Sequence, residues 1–171
     1  MREGGFPAAG DGLDEGGLRK ALDTRGKLER YDLAVSSPAV AARETAEALG
    51  VAVTVDDRLR DICFGEWAGM SFEQAHARDA AVFGHWLESP QDAVPGGENM
   101  ADVRERVGEW LSAQASDPQR ILAITHPMIV RAALSVCLEL PIAAAMRCDI
   151  APLSMTILSR HREWRLQALG R

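Results

Sequence analysis

The stretch ILAITHPMIVRAAL, residues 121–134, joins two apolar runs through Thr125, His126 and Pro127. The first run is short and suits a strand that is buried on both faces of a sheet. Proline is favoured in the first turn of a helix, so the second run predicts a helix over 128–138. His126 therefore lies at the carboxyl end of a predicted strand, where ligands collect in sheets of parallel strands.

The rest of the chain contains further strand-like and helix-like segments in a mixed order. Strands are predicted over 32–36, 51–55, 121–125, 153–159 and 164–169. Helices are predicted over 13–30, 39–49, 71–88, 100–114 and 128–138. Ser37 and Pro38 are typical of a helix start, Gly50 of a helix end, and Asn99 of a helix cap. This order predicts a three-layer α/β/α domain over 1–171, with a mostly parallel sheet and antiparallel C-terminal strands.

Composition and charge narrow the range of functions. The chain has 171 residues, of which 47% are hydrophobic and 26% charged, an ordinary composition for one globular domain. The net charge of −6 argues against nucleic acid or an anionic membrane as the partner, and an anionic substrate would need a local cationic pocket. Cys63, Cys137 and Cys148 lie far apart, and no stretch reaches 18 apolar residues. A cytoplasmic protein without a metal site or a membrane span is therefore expected.

Polar side chains follow several of the predicted strands and are expected to meet at one edge of the sheet. They are Ser36, Ser37, Arg43, Arg58, Arg60, Asp61, Glu66 and His126. Guanidinium groups bind phosphate oxygens, a carboxyl group can protonate a leaving alkoxide, and a histidine can act as a base or stabilise the anion. These residues favour a phosphate-ester site. Simpler interpretations stay open, because a histidine at a strand end is more often structural, Arg43 can belong to a solvated helix face, and Asp61 can cap a turn.

Six segments, in the same order, resemble the phosphoglycerate-mutase-like histidine phosphatase superfamily. They are LDEGGLRKA (13–21), AVSSPAVAARETAEALG (34–50), VDDRLRDICFGEWAGMSFEQ (55–74), HWLESPQDAVPGGENMADVRERV (85–107), ILAITHPMIVRAAL (121–134) and LSMTILSRHREWRLQAL (153–169). The resemblance extends over nearly the whole chain. It implies a phosphoglycerate-mutase-like fold.

The resemblance also implies chemistry through a phosphohistidine, without a cofactor. In active members a histidine in an Arg-His-Gly motif ends the first strand and takes the phosphoryl group. A second histidine and an arginine from the SSP helix bind the phosphate, and a carboxylate before FG donates a proton. His126 matches the second histidine and Asp61 matches the proton donor, so both are predicted to be catalytic. Ser37, Arg43 and His126 are predicted to bind the phosphate.

Four departures from the family pattern bear on activity. The sequence contains no Arg-His-Gly, and Ala41 stands where the arginine after SSP is expected. Arg43 is two residues further on, about 200° around a helix, so it does not simply replace that arginine. Asp61 is one methylene shorter than the usual glutamate. Pro127 replaces the usual glycine after the histidine and removes a backbone N–H.

The family's first strand has no counterpart in this sequence. The resemblance places that strand in the middle of the sheet, between the strands predicted at 121–125 and 153–159. Without it two apolar strand edges would stay unpaired, which invites aggregation. A start about 10–15 residues upstream, which would supply one strand of ordinary length, is therefore expected.

Two functions follow from the resemblance. The first is hydrolysis of a small phosphorylated metabolite through phosphohistidine in a longer form, with activity impaired in the chain of 171 residues. The alternative is a catalytically inactive pseudophosphatase that acts as a phospho-ligand binding or regulatory protein. A helical lid insertion is expected over about 71–97, with Trp67, Phe72 and Trp86 as its candidate lining. The sequence leaves the substrate and the oligomeric state open, a dimer being one option.

Overall fold

The computed structural model describes residues 4–8, 10–114 and 119–170, which form strands and helices in a mixed order. The strands are β1 (Leu33–Ser36), β2 (Thr54–Val55), β3 (Ile121–Ile124), β4 (Ile157–Arg160) and β5 (Trp164–Ala168). The helices are α1 (Glu15–Thr24), α2 (Val40–Leu49), α3 (Phe72–Arg78), α4 (Ala80–Glu88), α5 (Met100–Ala113), α6 (Pro127–Cys137) and α7 (Ile142–Ala145). Two 3-10 turns, Asp57–Leu59 and Gly65–Trp67, lie between β2 and α3.

The strands form two sheets. The first is parallel, with the order β2-β1-β3, and the second is the antiparallel pair β4-β5. Ser36, the last residue of β1, pairs with Ile124, the last residue of β3. The carboxyl ends of these two strands therefore lie side by side, which brings the segments that follow them to one edge of the sheet.

Helices cover both faces of the parallel sheet because successive side chains of a strand point to opposite faces. Val35 of β1 packs in a core cluster that α5 and α6 supply, together with partly buried Leu33, Ile121 and Ala123. Ala34 packs on the other side against α2, in a cluster that contains Ile124 of β3. The predicted α/β fold with helices on both faces is confirmed.

Several predicted boundaries were wrong, and each has a local reason. Ser37 does not cap α2, whose N-cap is Ala39; the Ser37 hydroxyl instead accepts a hydrogen bond from the Ala39 N–H. The helix predicted over 71–88 is divided at Asp79, whose extended backbone ends α3 and whose carboxylate caps α4. The strand predicted from 153 begins only at residue 157, and Leu153 itself has a φ of 61°, outside the β region.

Candidate active site

The carboxyl edge of the parallel sheet brings together three segments that are distant in sequence. The Ser37 N–H donates to the Ile124 carbonyl oxygen at 2.9 Å, which joins the segment after β1 to the end of β3. The Thr125 hydroxyl donates to the Leu59 carbonyl oxygen at 2.8 Å and holds the loop after β2 against the same edge. His126 is the N-cap residue of α6, and Pro127 occupies the first helical turn as predicted.

His126 lies between a buried hydroxyl and a carboxyl group. Its Nε2 is 2.7 Å from Oγ of Ser37, and its Nδ1 is 3.5 Å from Oδ2 of Asp61. The side chains of His126 and Asp61 are 16% and 22% exposed, so both can be reached from solvent. In space, a serine, a histidine and an aspartate are arranged here in the same order as in the catalytic triad of a serine hydrolase. Ser37 is 0% exposed, however, so its hydroxyl cannot attack a substrate.

Burial drives both members of the His126–Asp61 pair towards their neutral forms. It raises the pKa of Asp61 above its ordinary value, although the charges of His126 and Arg106 and the Ile62 N–H act in the opposite direction. Burial also lowers the pKa of His126, an effect that the Asp61 charge opposes and the Arg106 charge reinforces. A carboxyl group with a raised pKa can retain a proton and donate it.

The raised pKa of Asp61 predicts that Asp61→Asn stabilises the protein at neutral pH. The native state holds the Asp61 proton more tightly than the unfolded state, so the free energy of unfolding falls as the pH rises from 3.8 through the folded pKa. Asparagine removes that penalty. Urea denaturation should therefore show a higher free energy of unfolding for Asp61→Asn at neutral pH and little difference below pH 3.8.

Asp23→Asn, at an exposed position of α1, is the matched control and should show no such pH-dependent gain. If Asp61→Asn were less stable than the wild type at neutral pH, the ionised carboxylate would have to be held in place by His126 and Arg106.

Arg106 of α5 holds the backbone around Asp61. The residue is 8% exposed. Its Nη1 donates to the Arg58 carbonyl oxygen at 2.7 Å, and its Nη2 donates to the Asp61 carbonyl oxygen at 3.1 Å. Its Nε and Nη2 also donate to the two carboxylate oxygens of Glu98, at 3.3 and 3.2 Å. One guanidinium group thus fixes the chain on both sides of Arg60.

Glu98 is the acceptor at the centre of the same network. It also accepts from Nη2 of Arg60 at 2.6 Å and from the Cys63 N–H at 2.9 Å. Burial opposes ionisation of Glu98, but the Arg106 hydrogen bond, the Cys63 N–H and the charges of Arg106 and Arg60 outweigh burial and lower its pKa. The network is therefore an ionised carboxylate between two arginines, and it sets the path of residues 58–63.

The sequence predictions missed both Arg106 and Glu98. The sequence analysis assigned only a helix cap, at Asn99, to the segment that contains Glu98. A signal was nevertheless present, because Arg106 interrupts the apolar stripe of α5 that Val103, Val107 and Trp110 form. A cation at a core position needs buried partners.

Gly65 of the Phe64–Gly65 segment packs directly against the backbone of the Pro-Gly-Gly segment at residues 95–97. It has a φ of 47°, and a Cβ at this position would lie 2.3 Å from the Pro95 oxygen and 2.5 Å from the Gly97 nitrogen. The Glu66 N–H donates to the Pro95 carbonyl oxygen, and the Glu98 N–H donates to the Cys63 carbonyl oxygen. The two loops therefore touch backbone to backbone, which only glycine permits here.

The predicted phosphate ligand Arg43 does not join this group. Arg43 is exposed on α2, and no hydrogen bond or ion pair joins it to His126 or Asp61 within the described residues. Arg58 pairs with Asp56 at 2.6 Å, and Arg60 pairs with Glu98. The arginine whose charge acts on both His126 and Asp61 is Arg106.

The predicted lid residues form an aromatic cluster with Phe6. The Phe6 ring lies 5.0, 5.1 and 4.9 Å from the rings of Trp67, Phe72 and Trp86. Trp67 is 1% exposed, so it packs the cluster and cannot line an open pocket. Phe72 is 38% exposed and Trp86 is partly buried, so both keep some surface. The Phe6 N–H and carbonyl oxygen bond to the backbone of Met70 and Gly69, which anchors the N-terminal segment in this cluster.

The described part of the chain contains neither a cluster of metal-ligating side chains nor a membrane-spanning helix. No three His, Cys, Asp or Glu side chains within it are grouped so that they could hold a metal ion. None of the helices that these residues form has the length and the apolar character needed to cross a membrane.

The fold and the polar edge of the sheet define an α/β protein with a histidine–carboxyl site, and comparison with known sequences gives its family. The model of the histidine phosphatase superfamily (branch 1) matches residues 9–170. A glucosyl-3-phosphoglycerate phosphatase of Mycobacterium tuberculosis is 32% identical over 137 residues, which are 72% of this chain and 61% of that protein. Phosphoserine phosphatase 1 of Hydrogenobacter thermophilus is 29% identical over 161 residues, 88% of this chain and 76% of that protein. The chain belongs to the histidine phosphatase superfamily, branch 1.

A further relative is considerably longer than this chain. A bifunctional protein of Mycobacterium tuberculosis is 32% identical over 155 residues, which are 84% of this chain. The chain spans 43% of the length of that relative.

Solved structures agree with the fold. A mycobacterial glucosyl-3-phosphoglycerate phosphatase superposes with a TM-score of 0.82 at 26% identity, covering 98% of this chain and 91% of that one. The alpha-ribazole phosphatase from Shigella flexneri superposes with a TM-score of 0.84 at 18% identity, covering 98% and 89%, and at that identity it supports the fold alone. The predicted phosphoglycerate-mutase-like α/β fold is confirmed.

Proposed function

We propose that His126 and Asp61 form the phosphate-binding and proton-donating part of a phosphomonoester hydrolase site. The observation that carries the proposal is their position. The two side chains face each other at 3.5 Å at the carboxyl edge of the parallel sheet, and both are only partly covered. The relatives support a small phosphorylated metabolite as the substrate class, since they are named for glucosyl-3-phosphoglycerate and phosphoserine.

Each of the two side chains has a chemical step to perform. A protonated Asp61 can give its proton to the alkoxide that leaves when the phosphorus–oxygen bond breaks. The resulting carboxylate can then accept a proton from the water that hydrolyses the phosphorylated intermediate. His126 supplies a hydrogen-bond donor to the phosphoryl oxygens, where negative charge must be stabilised.

The nucleophile in this proposal is a histidine of an Arg-His-Gly segment that pairs as a strand between β3 and β4. Within the described residues β3 pairs only with β1 and β4 only with β5, so each strand has one unpaired edge. The other three histidines of the chain are exposed on different elements: His76 on α3, His85 on α4 and His161 in the β4–β5 turn. The 171-residue chain is therefore expected to be impaired as a phosphatase.

The alternative function is a pseudophosphatase that binds a phosphorylated ligand without turnover. Ala41 in place of an arginine and Pro127 in place of a glycine favour it, because both remove groups that would bind phosphate. The pairing of Arg60 and Arg106 with Glu98 also favours a pseudophosphatase, because both guanidinium groups are already paired with a carboxylate of the protein. Both functions need the same anion position beside His126, and turnover separates them.

In this proposal, residues 71–97 form a lid over the site within a single domain of residues 1–171. α3 and α4 lie in this segment and pack on the Phe6 cluster. The partly exposed faces of Phe72 and Trp86 are then the surfaces that the lid can offer to a substrate.

Inorganic phosphate is expected to bind to the 171-residue chain, and His126→Asn is expected to weaken that binding roughly 10- to 100-fold. A hydrogen bond to a charged group contributes about 1.5–3 kcal/mol, which corresponds to a change of this size. Isothermal titration calorimetry of phosphate with the wild type and the variant measures the difference.

His161→Asn changes an exposed histidine in the β4–β5 turn and is the matched control, for which wild-type affinity is expected. Equal phosphate affinity in the wild type and in His126→Asn would exclude His126 as a ligand and would remove the basis of the proposed function.

A further inference from the structure

The hydroxyl group of Ser37 is buried and forms hydrogen bonds with other groups of the protein. The residue is 0% exposed. Its Oγ lies 2.7 Å from Nε2 of His126 and 3.2 Å from the backbone nitrogen of Ala39. Ser37 was predicted from the sequence to bind phosphate, and its complete burial is the physical reason why that role does not fit.

The donors and acceptors around the Ser37 hydroxyl fix the direction of its hydrogen bonds. The Ala39 N–H can only donate, so Oγ accepts there. Among the described residues, Nε2 of His126 is the only other side-chain or backbone atom recorded in a hydrogen bond with this Oγ. If Nε2 carried a proton and donated it, the hydroxyl proton of Ser37 would be buried without an acceptor, which is costly. The hydroxyl therefore donates to Nε2.

We propose that Ser37 is a positioning residue that fixes the neutral ring of His126 with its proton on Nδ1, so that Nδ1 is the atom that meets a phosphoryl oxygen. The second half of this inference rests on the proposed function. Nδ1 is 3.5 Å from Oδ2 of Asp61, longer than a good hydrogen bond, and the His126 side chain is 16% exposed. Nε2 lies against the fully buried hydroxyl of Ser37, which leaves Nδ1 as the ring nitrogen for an anion oxygen to approach.

The position of the proton decides what His126 can do. With the proton on Nδ1, that nitrogen has no free lone pair and can only donate a hydrogen bond. The lone pair of Nε2 accepts the hydroxyl proton of Ser37 and is equally unavailable for attack on phosphorus. His126 therefore acts as a hydrogen-bond donor to the substrate and does not become phosphorylated.

Long-range ¹H–¹⁵N correlation spectra of ¹⁵N-labelled protein, recorded where the ring is neutral, show directly which nitrogen carries the proton. The signals of His126 are those that disappear in His126→Asn. We expect a protonated-type ¹⁵N shift at Nδ1 and an unprotonated-type shift at Nε2. In Ser37→Ala the two shifts should move towards each other, because no hydroxyl proton then occupies the Nε2 lone pair and the tautomer with its proton on Nε2 becomes populated. A wild-type spectrum with the proton on Nε2 would overturn the role of Ser37, whatever phosphate does.

Ser36→Ala is the matched control. Ser36 is as fully buried as Ser37, but its hydroxyl donates to the Ser37 carbonyl oxygen at 3.0 Å and does not contact His126. The proton should stay on Nδ1 in this variant. If the two shifts moved towards each other in both variants, the tautomer would depend on general packing and the assignment to Ser37 would fail. A wild-type spectrum with the proton on Nε2 refutes the role of Ser37 even if Ser37→Ala does not fold.

Addition of inorganic phosphate to the wild type tests the second half of the inference. The Nδ1 signal is expected to shift more than the Nε2 signal. A larger shift at Nε2 would refute Nδ1 as the contact atom. No shift at either nitrogen, with the proton still on Nδ1, would refute the proposed phosphate site and the contact at Nδ1, while the spectrum would still support the role of Ser37.

Discussion

Turnover of p-nitrophenyl phosphate by the 171-residue chain is expected to be absent. The loss should be roughly 10⁴- to 10⁶-fold relative to a chain extended at its amino end by a strand that carries Arg-His-Gly, because removal of a catalytic nucleophile has effects of this size. Nε2 of His126 is bonded to Ser37, and the remaining histidines lie on other elements, so no described imidazole is placed for attack. Release of p-nitrophenolate by the two chains measures the difference.

The matched control is the extended chain with Arg-Gln-Gly in place of Arg-His-Gly, which should be as inactive as the 171-residue chain. Turnover by the 171-residue chain that disappears in His126→Asn would contradict the prediction and would make His126 the phosphoryl acceptor. An extended chain that folds, binds phosphate and shows no turnover would favour the pseudophosphatase, with Ala41 and Pro127 as the first residues to restore.

Arg106→Met is expected to lower the free energy of unfolding by about 3–5 kcal/mol, the usual result of removing one partner of a buried ion pair. The Glu98 side chain is only 16% exposed, and in the variant it would keep Arg60 as its one arginine partner. The carbonyl oxygens of Arg58 and Asp61 would also lose a donor. Urea denaturation at neutral pH measures the change.

Arg104→Met is the control for Arg106→Met, because Arg104 lies on the same helix, is exposed and makes one recorded hydrogen bond, to Ser135. Its loss should be about 1 kcal/mol. The double variant Arg106→Met with Glu98→Gln should recover part of the loss, since the unpaired carboxylate is then absent. Equal losses for Arg106→Met and Arg104→Met would show that the Arg106 network contributes little.

Local signals in the sequence were sufficient for the order of the five strands, although they missed the short helix α7. The apolar run before His126, the proline after it and the left-handed glycine at residue 50 each act over a few residues, and the strand and two helix boundaries that they predicted agree with the structure to within one residue. Local signals predicted the wrong boundaries for the helix over 71–88 and for the strand over 153–159. Asp79 ended one helix and began another, and Leu153 has a positive φ that keeps this residue out of a strand.

The sequence by itself determined that His126 and Asp61 follow strands, and parallel strands bring their carboxyl ends to one edge. Only the tertiary structure decided what surrounds them. Ser37 meets His126 across 89 residues, and Arg106 meets the Arg58 carbonyl oxygen across 48. Secondary structure depends on neighbours in the chain, whereas hydrogen bonds across such separations depend on how the helices and loops pack. For that reason the sequence predicted which edge of the sheet carries the candidate site. Tertiary packing placed Arg106, and not Arg43, near His126 and Asp61.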